Sequence, residues 1–167
     1  MKHVGMIVLV RIPTDNCPLA AVCFKRSGYN TEDPRGLKKQ NFANALQVTW
    51  HGKGEDDESD CSILYREGRE EIGKEATEMV IGNAKLVESS TKENGDRRAT
   101  YAVLAPIKFL DYIRTGIASA GVEFITHFKT VMIRPLKDQD KDGIESGKLR
   151  MFSDEFRAIK KAFEIFA

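Results

Sequence analysis

Seven residues between positions 52 and 73 have types and separations that could do chemistry: Gly52, Glu58, Arg66, Glu67, Glu70, Glu71 and Gly73. With their gaps they read G-x5-E-x7-R-E-x-x-E-E-x-G. On a helix turning about 100° per residue, Glu67, Glu70 and Glu71 gather on one side, within roughly a quarter to a third of a turn. Such a cluster is costly. Like charges four residues apart destabilise an isolated helix by about 0.2–0.5 kcal/mol, and crowding raises the pKa of the worst-placed carboxylate. The three also sit toward the helix C-terminus, where the peptide dipole disfavours negative charge. Arg66 can relieve part of this by pairing with Glu70 four residues on. A divalent cation would relieve far more. Three carboxylates suit Mg²⁺, with Mn²⁺ as a substitute, because Mg²⁺ takes a few carboxylates and leaves its other positions to water and substrate phosphate. Without a cation the same run is a surface helix laced with Arg–Glu pairs.

Positioning those carboxylates requires a helix over 60–72, with Ser59 or Asp60 as its N-cap and Gly73 just past its end. Cys61, Leu64, Tyr65, Gly68 and Ile72 form its expected apolar back, while Ile63 falls near the acidic side. Segment 45–50 alternates like a strand and delivers the chain to a glycine-containing loop at His51 and Gly52. Segments 4–12 and 18–25 read as strands, joined by a turn at Pro13, Asp15, Asn16 and Pro18. Residues 27–44 form a long polar loop in which Tyr29, Arg35, Lys38, Lys39 and Phe42 could stack on a base and hold phosphates, or simply be solvated. Further on, 79–88 reads as a strand, 89–98 as an exposed hairpin turn, 99–107 as a strand, 109–119 as a short helix and 127–134 as a strand. The segment 153–166 is an amphipathic helix with Phe156, Ile159, Ala162, Phe163 and Phe166 in one stripe. Strands flank helices without regular βαβ alternation, which predicts an α/β fold with a mixed sheet between helical layers.

The chain has 167 residues, the size of one domain spanning 1–167. Residues 52–75 hold nine acids and four bases, while the remainder holds 22 bases and 16 acids. An acidic pocket in a mildly basic body suits a metal ion and an anionic small molecule. No basic stripe of the kind nucleic-acid binding needs is visible. No apolar run is long enough to cross a bilayer. Cys17, Cys23 and Cys61 show no ligand or disulfide spacing, so reduced thiols and a cytoplasmic location are expected. Asp138, Asp140, Asp142 and Gly143 resemble the opening of an EF-hand loop, but Leu149 stands where a bidentate Glu is needed.

The full spacing resembles the signature of the Nudix hydrolase family, G-x5-E-x7-R-E-U-x-E-E-x-G-U with U aliphatic. All seven fixed positions are filled; the two aliphatic ones hold Gly68 and Lys74, which puts local packing in question but touches no chemistry. The resemblance implies the Nudix fold, an α/β/α sandwich with a mixed β-sheet. It also implies that Glu67, Glu70 and Glu71 bind divalent cations, aided by a backbone carbonyl at or next to Gly52. Arg66 would orient the glutamates, and Glu58 would tie the loop to the helix or reach water on the metal. Lys53 could touch a substrate phosphate. The general base would be Glu67 or Glu123, the latter expected in a loop before strand 127–134; His127 reads as a core or edge residue. The implied reaction is hydrolysis of the pyrophosphate linkage in a nucleoside diphosphate derivative. The alternatives are a nucleotide-binding or sensor module on the same fold and an RNA-end processing factor. Analogy with other members suggests a homodimer.

Overall fold

Val4 to Val10 reads VGMIVLV, apolar at every position but Gly5, the pattern of a strand covered on both faces. The computed structural model describes residues 1–13, 15, 17–26, 45–114, 119–126, 134–135, 143–146 and 149–167, and there this segment is the central strand. The elements run β1 (Lys2–Arg11), β2 (Leu19–Arg26), β3 (Leu46–Gln47), β4 (Trp50–Gly54), α1 (Asp60–Glu71), α2 (Lys74–Val80), β5 (Lys85–Thr91), β6 (Arg97–Leu104), β7 (Ser119–Thr126), β8 (Arg134–Pro135), β9 (Gly143–Ser146), β10 (Leu149–Phe152) and α3 (Ser153–Phe166). Among the described residues ten strands make one sheet, ordered β5-β6-β1-β2-β3-β10-β9-β8, with β4 paired to β1 and β7 to β2.

The sheet is mixed. β1 runs parallel to β6, from Lys2 opposite Arg97 to Leu9 opposite Leu104, and antiparallel to β2 and β4. Side chains alternate along β1 and so build two cores. Val4, Met6, Val8 and Val10 pack with Trp50, Ile63, Leu64, Ile72, Ala76 and Phe109. Ile7 and Leu9 pack on the other face with Met151, Phe156, Ile159 and Phe163 of β10 and α3. The stripe expected on 153–166 is therefore the one that covers the sheet. A helical layer on each face makes the α/β/α sandwich.

One edge of β1 is shared by two partners: β4 opposite residues 2–6 and β2 opposite residues 8–11. Thr49 sits where they part. Its buried hydroxyl accepts from the Val8 N–H at 2.8 Å and donates to the Val22 carbonyl at 2.7 Å, which satisfies two backbone groups at the fork. The single strand expected over 45–50 is for this reason two short ones, and β4 continues through Gly54. His51 and Gly52 thus lie in a strand rather than a loop.

Other expectations shift as well. Residues 74–80, of which the sequence assigns 74–78 no element and reads 79–80 as the start of a strand, form α2, which buries Ala76, Thr77 and Val80; the strand begins only at Lys85. The hairpin turn expected over 89–98 is present but shorter, since β5 runs to Thr91 and β6 starts at Arg97, and it tightens around Gly95 at φ +86°. A 3₁₀ turn at Ile107–Tyr112 takes the place of the longer helix. The loop 27–44, His127 and Asp138 to Asp142 lie outside the described residues, as does most of 127–134. β9 and β10 pair as an antiparallel hairpin after Asp142, where an EF-hand would lead into a helix. Among the described residues no helix is long and apolar enough to cross a membrane. The three cysteines are free, with Cys23 buried.

Candidate active site

Helix α1 starts as its sequence dictates. Ser59 caps it, its hydroxyl accepting from the Ser62 N–H at 3.1 Å. Its buried residues are Ile63, Leu64 and Gly68, with Ile72 following. Two wheel assignments reverse: Cys61 is exposed and Ile63 is fully buried. The cause is Gly54 of β4, where a Cβ would run into the Ile63 side chain; the glycine makes room for it under the helix.

Gly68, the departure at the first aliphatic position, marks a close crossing. A Cβ there would stand 2.8 Å from Thr77 Cγ2 and 3.0 Å from Trp50 Cε2. Trp50 fills the space from β4 and donates its indole N–H to the Leu64 carbonyl at 2.9 Å. The helix end is fixed by Gly73, whose φ of +98° and ψ of 159° admit only glycine without strain. Lys74 then opens α2 as an exposed residue, so the second aliphatic position supplies nothing to the core.

Gly52 lies directly under Glu67: a Cβ would overlap the Glu67 Cγ and Cδ. The glycine therefore lets the carboxylate stem rest on the β4 backbone. Arg66 joins three parts of the site. One amino group donates to Glu67; the other donates to the Lys53 carbonyl at 2.9 Å and reaches Glu58 at 3.3 Å. It does not take up the expected pairing with Glu70. Glu58 is also tied through its own carbonyl, which accepts from Lys2 at 2.7 Å. The Lys53 ammonium is exposed.

The carboxylates differ in setting. Glu70 is exposed. Glu67 is mostly covered; burial raises its pKa, opposed by Arg66 and reinforced by Glu70 and Glu58. Among the described residues no cation offsets the charge of Glu71. Burial, then the charges of Glu67 and Glu70, push its pKa up to about 8. The three acids are close enough to repel one another, yet they are not gathered on one point. Among the described residues no group of three His, Cys, Asp or Glu side chains stands in a coordinating arrangement.

Two anchors were not visible in the sequence. Asp60 accepts from Arg97 at 2.7 Å and from the Tyr101 hydroxyl at 2.7 Å, binding the start of α1 to β6. Arg114 closes the other end: its N–H donates to the Ile72 carbonyl at 2.8 Å and its guanidinium to the Glu70 carbonyl at 3.2 Å. Their partners lie 37 to 44 residues away, beyond the reach of any local pattern. Glu123 moves the other way. Expected in a loop, it lies in β7 opposite Cys23 of β2, because Gly121 to Thr126 continues as a strand of apolar and β-branched residues.

This architecture has known counterparts. A mutT/nudix family protein from Listeria innocua superposes with a TM-score of 0.67 at 16% identity, over 99% of this chain and 92% of that one. The fold is the Nudix fold. The NUDIX domain of Shewanella oneidensis NrtR, solved with ADP ribose, gives 0.61 at 12% identity over 100% and 88%. A MutT/nudix family protein from Enterococcus faecalis gives 0.58 at 14% identity; there this chain, 98% covered, spans 61% of the other's length. No protein-family model matches the sequence, and no curated protein matches it. The Nudix fold places the acidic helix α1 against β4 and leaves Glu67, Glu70 and Glu71 on its far turn.

Proposed function

We propose that the chain is a Mg²⁺-dependent Nudix hydrolase that cleaves the pyrophosphate linkage of a nucleoside diphosphate derivative. The observation that carries this reading is Glu71: a carboxylate held up to about 8 by burial and by two like charges, with no compensating cation among the described residues. A fold that keeps such a group gains most when a divalent ion joins it. Glu67, Glu70 and Glu71 would hold the ion, above the buried Gly52 backbone on which the Glu67 stem rests. When bound, it supplies charge neutralisation on the phosphate oxygens and acidifies water.

The chain's own residues do the rest. Arg66 fixes the Glu67 carboxylate against β4 and Glu58, so the acid is oriented before substrate arrives. Glu67, with its pKa raised, accepts the proton of the attacking water. The water oxygen bonds to one phosphorus, the bridging P–O bond breaks, and two phosphate monoesters leave. The ADP ribose held by the Shewanella domain has the required linkage, which makes it a first substrate to try.

A second reading, a nucleotide-binding module without turnover, draws on the acids not being gathered on one point. Incubation with ADP-ribose, dinucleotides and nucleoside triphosphates in Mg²⁺, with phosphatase-coupled detection of released phosphate, separates the two. Metal-dependent product that disappears in Glu71→Gln supports the hydrolase. Binding by calorimetry with no product from any substrate supports the module. Product formation at full rate in Glu71→Gln would remove the metal assignment.

A further inference from the structure

On the α3 side of the sheet, a cleft of ≈ 660 Å³ opens beside β4 and extends to Gly52, the residue beneath Glu67. Its floor follows from strand register. His3 of β1 stands opposite Lys53 of β4 and opposite Arg98 of β6, so three basic side chains form one row across three strands. The next row is Thr100, Gly5 and His51. Gly5 has no side chain to raise the floor there, and a Cβ would meet its neighbours only at 3.5 Å or more. Lys92, in the β5–β6 turn, also lines the cleft.

The row sets two cations, Lys53 and Arg98, on either side of His3. Burial first, then Arg98 and Lys53, push that imidazole below its ordinary pKa. Among the described lining residues the carboxylates come from the start of α3, and Asp96 near the β5–β6 turn opposes the cations at His3. Asp154 is paired with Arg98 at its rim, and Glu155 lies beside it. Lys53 and Lys92 have no ion-pair partner among the described residues. Two ammonium groups without an ion-pair partner among the described residues, beside a flat floor, favour a dianionic group over a neutral sugar.

We infer that this cleft is a second anion site, and that the substrate carries a phosphate monoester in addition to the pyrophosphate linkage that is cleaved. The inference rests on the hydrolase reading for what happens at α1, but its own evidence is the cleft. It divides the substrates of that reading. ADP-ribose, with an unphosphorylated terminal ribose, is a poor fit; a dinucleotide or nucleotide conjugate bearing a 2′- or 3′-phosphate is a good one.

Pairs of pyrophosphate compounds differing by one phosphate monoester test this: NAD against NADP, and dephospho-coenzyme A against coenzyme A. Affinities are measured by calorimetry with Ca²⁺ in place of Mg²⁺, so that binding is read apart from turnover. The phosphorylated member of at least one pair is expected to bind at least tenfold tighter. In Lys53→Gln/Lys92→Gln that ratio should fall below threefold; these side chains make no ion pairs among the described residues, so the fold is retained. Ratios below threefold in both wild-type pairs, or a ratio undiminished in the double variant, overturn the inference. Hydrolysis in Mg²⁺ without discrimination defeats the cleft and spares the hydrolase; discrimination without hydrolysis does the reverse.

Discussion

The two ends of α1 carry carboxylates in opposite circumstances. At the first turn, Asp60 is 12% exposed and fully provided for: Arg97, Tyr101 and, at 3.9 Å, Lys2 surround it. Burial alone would raise its pKa, but those partners together hold it below the ordinary range. At the last turn, Glu71 meets burial and two further acids, and its pKa rises to about 8. One helix thus holds an acid that secures it to the sheet and an acid whose charge nothing among the described residues balances. The difference teaches how to tell a structural carboxylate from a functional one. The first has its counter-charges within the chain; the second has none among the described residues, which is why it is the proposed metal ligand.

The strongest way to break this contrast is Glu71→Gln. Metal-dependent turnover should fall by at least about a thousandfold, roughly 4 kcal/mol of transition-state stabilisation, measured as initial rates across Mg²⁺ concentrations. A loss below tenfold would place Glu71 among ordinary buried acids.

Stability gives the next largest effect, and its sign separates the two ends. Below pH 4.5 Glu71 is protonated both folded and unfolded and contributes nothing. Between 4.5 and about 8 the unfolded chain releases the proton while the folded one keeps it, so metal-free stability falls with rising pH. At about 1.4 kcal/mol per pH unit the deficit reaches up to ~3 kcal/mol at pH 7. Urea denaturation in EDTA should therefore show Glu71→Gln more stable than wild type at pH 7 and equal to it at pH 4. Added Mg²⁺ should stabilise the wild type more at pH 8 than at pH 6, since the ion displaces a proton.

Asp60 runs the other way. Its contribution is present above its unfolded pKa of 3.8 and is lost as pH falls through the lower folded value. Asp60→Asn should cost about 2 kcal/mol at pH 7, the scale of hydrogen bonds to a charged group, with the metal's effect on stability unchanged. The smallest expected change is at the boundary: Gly73→Ala should cost about 1–2 kcal/mol for a side chain at φ +98°, seen as a lower urea midpoint with no new pH dependence.

The acidic helix was legible because its evidence is local: cap, spacing and terminating glycine all fall within 15 residues. The strand near the start of the chain and the stripe of α3 were legible for the same reason. What escaped was long-range. Asp60 reads only as a possible cap until β6 brings Arg97 and Tyr101 to it. Gly68 looks like a defect until Trp50 and Thr77 are seen pressed against it. Residues 74–80 escaped because their apolar side chains are few and run into Ile81, which suggests a strand. Glu123 was misplaced because the Gly- and Ala-containing stretch before it resembles a loop, and only pairing with β2 reveals β7.

The parallel pairing of β1 with β6 has a consequence for how the chain is made. The first strand lies in the middle of the sheet, yet its partner at Arg97–Leu104 is joined to it only after most of a hundred residues have left the ribosome. Until then the edge of β1 that pairs with β6 has its backbone N–H and C=O groups without that partner. The nascent protein spends that interval with an open seam, a natural target for chaperones and for mispairing between neighbouring polysomal chains.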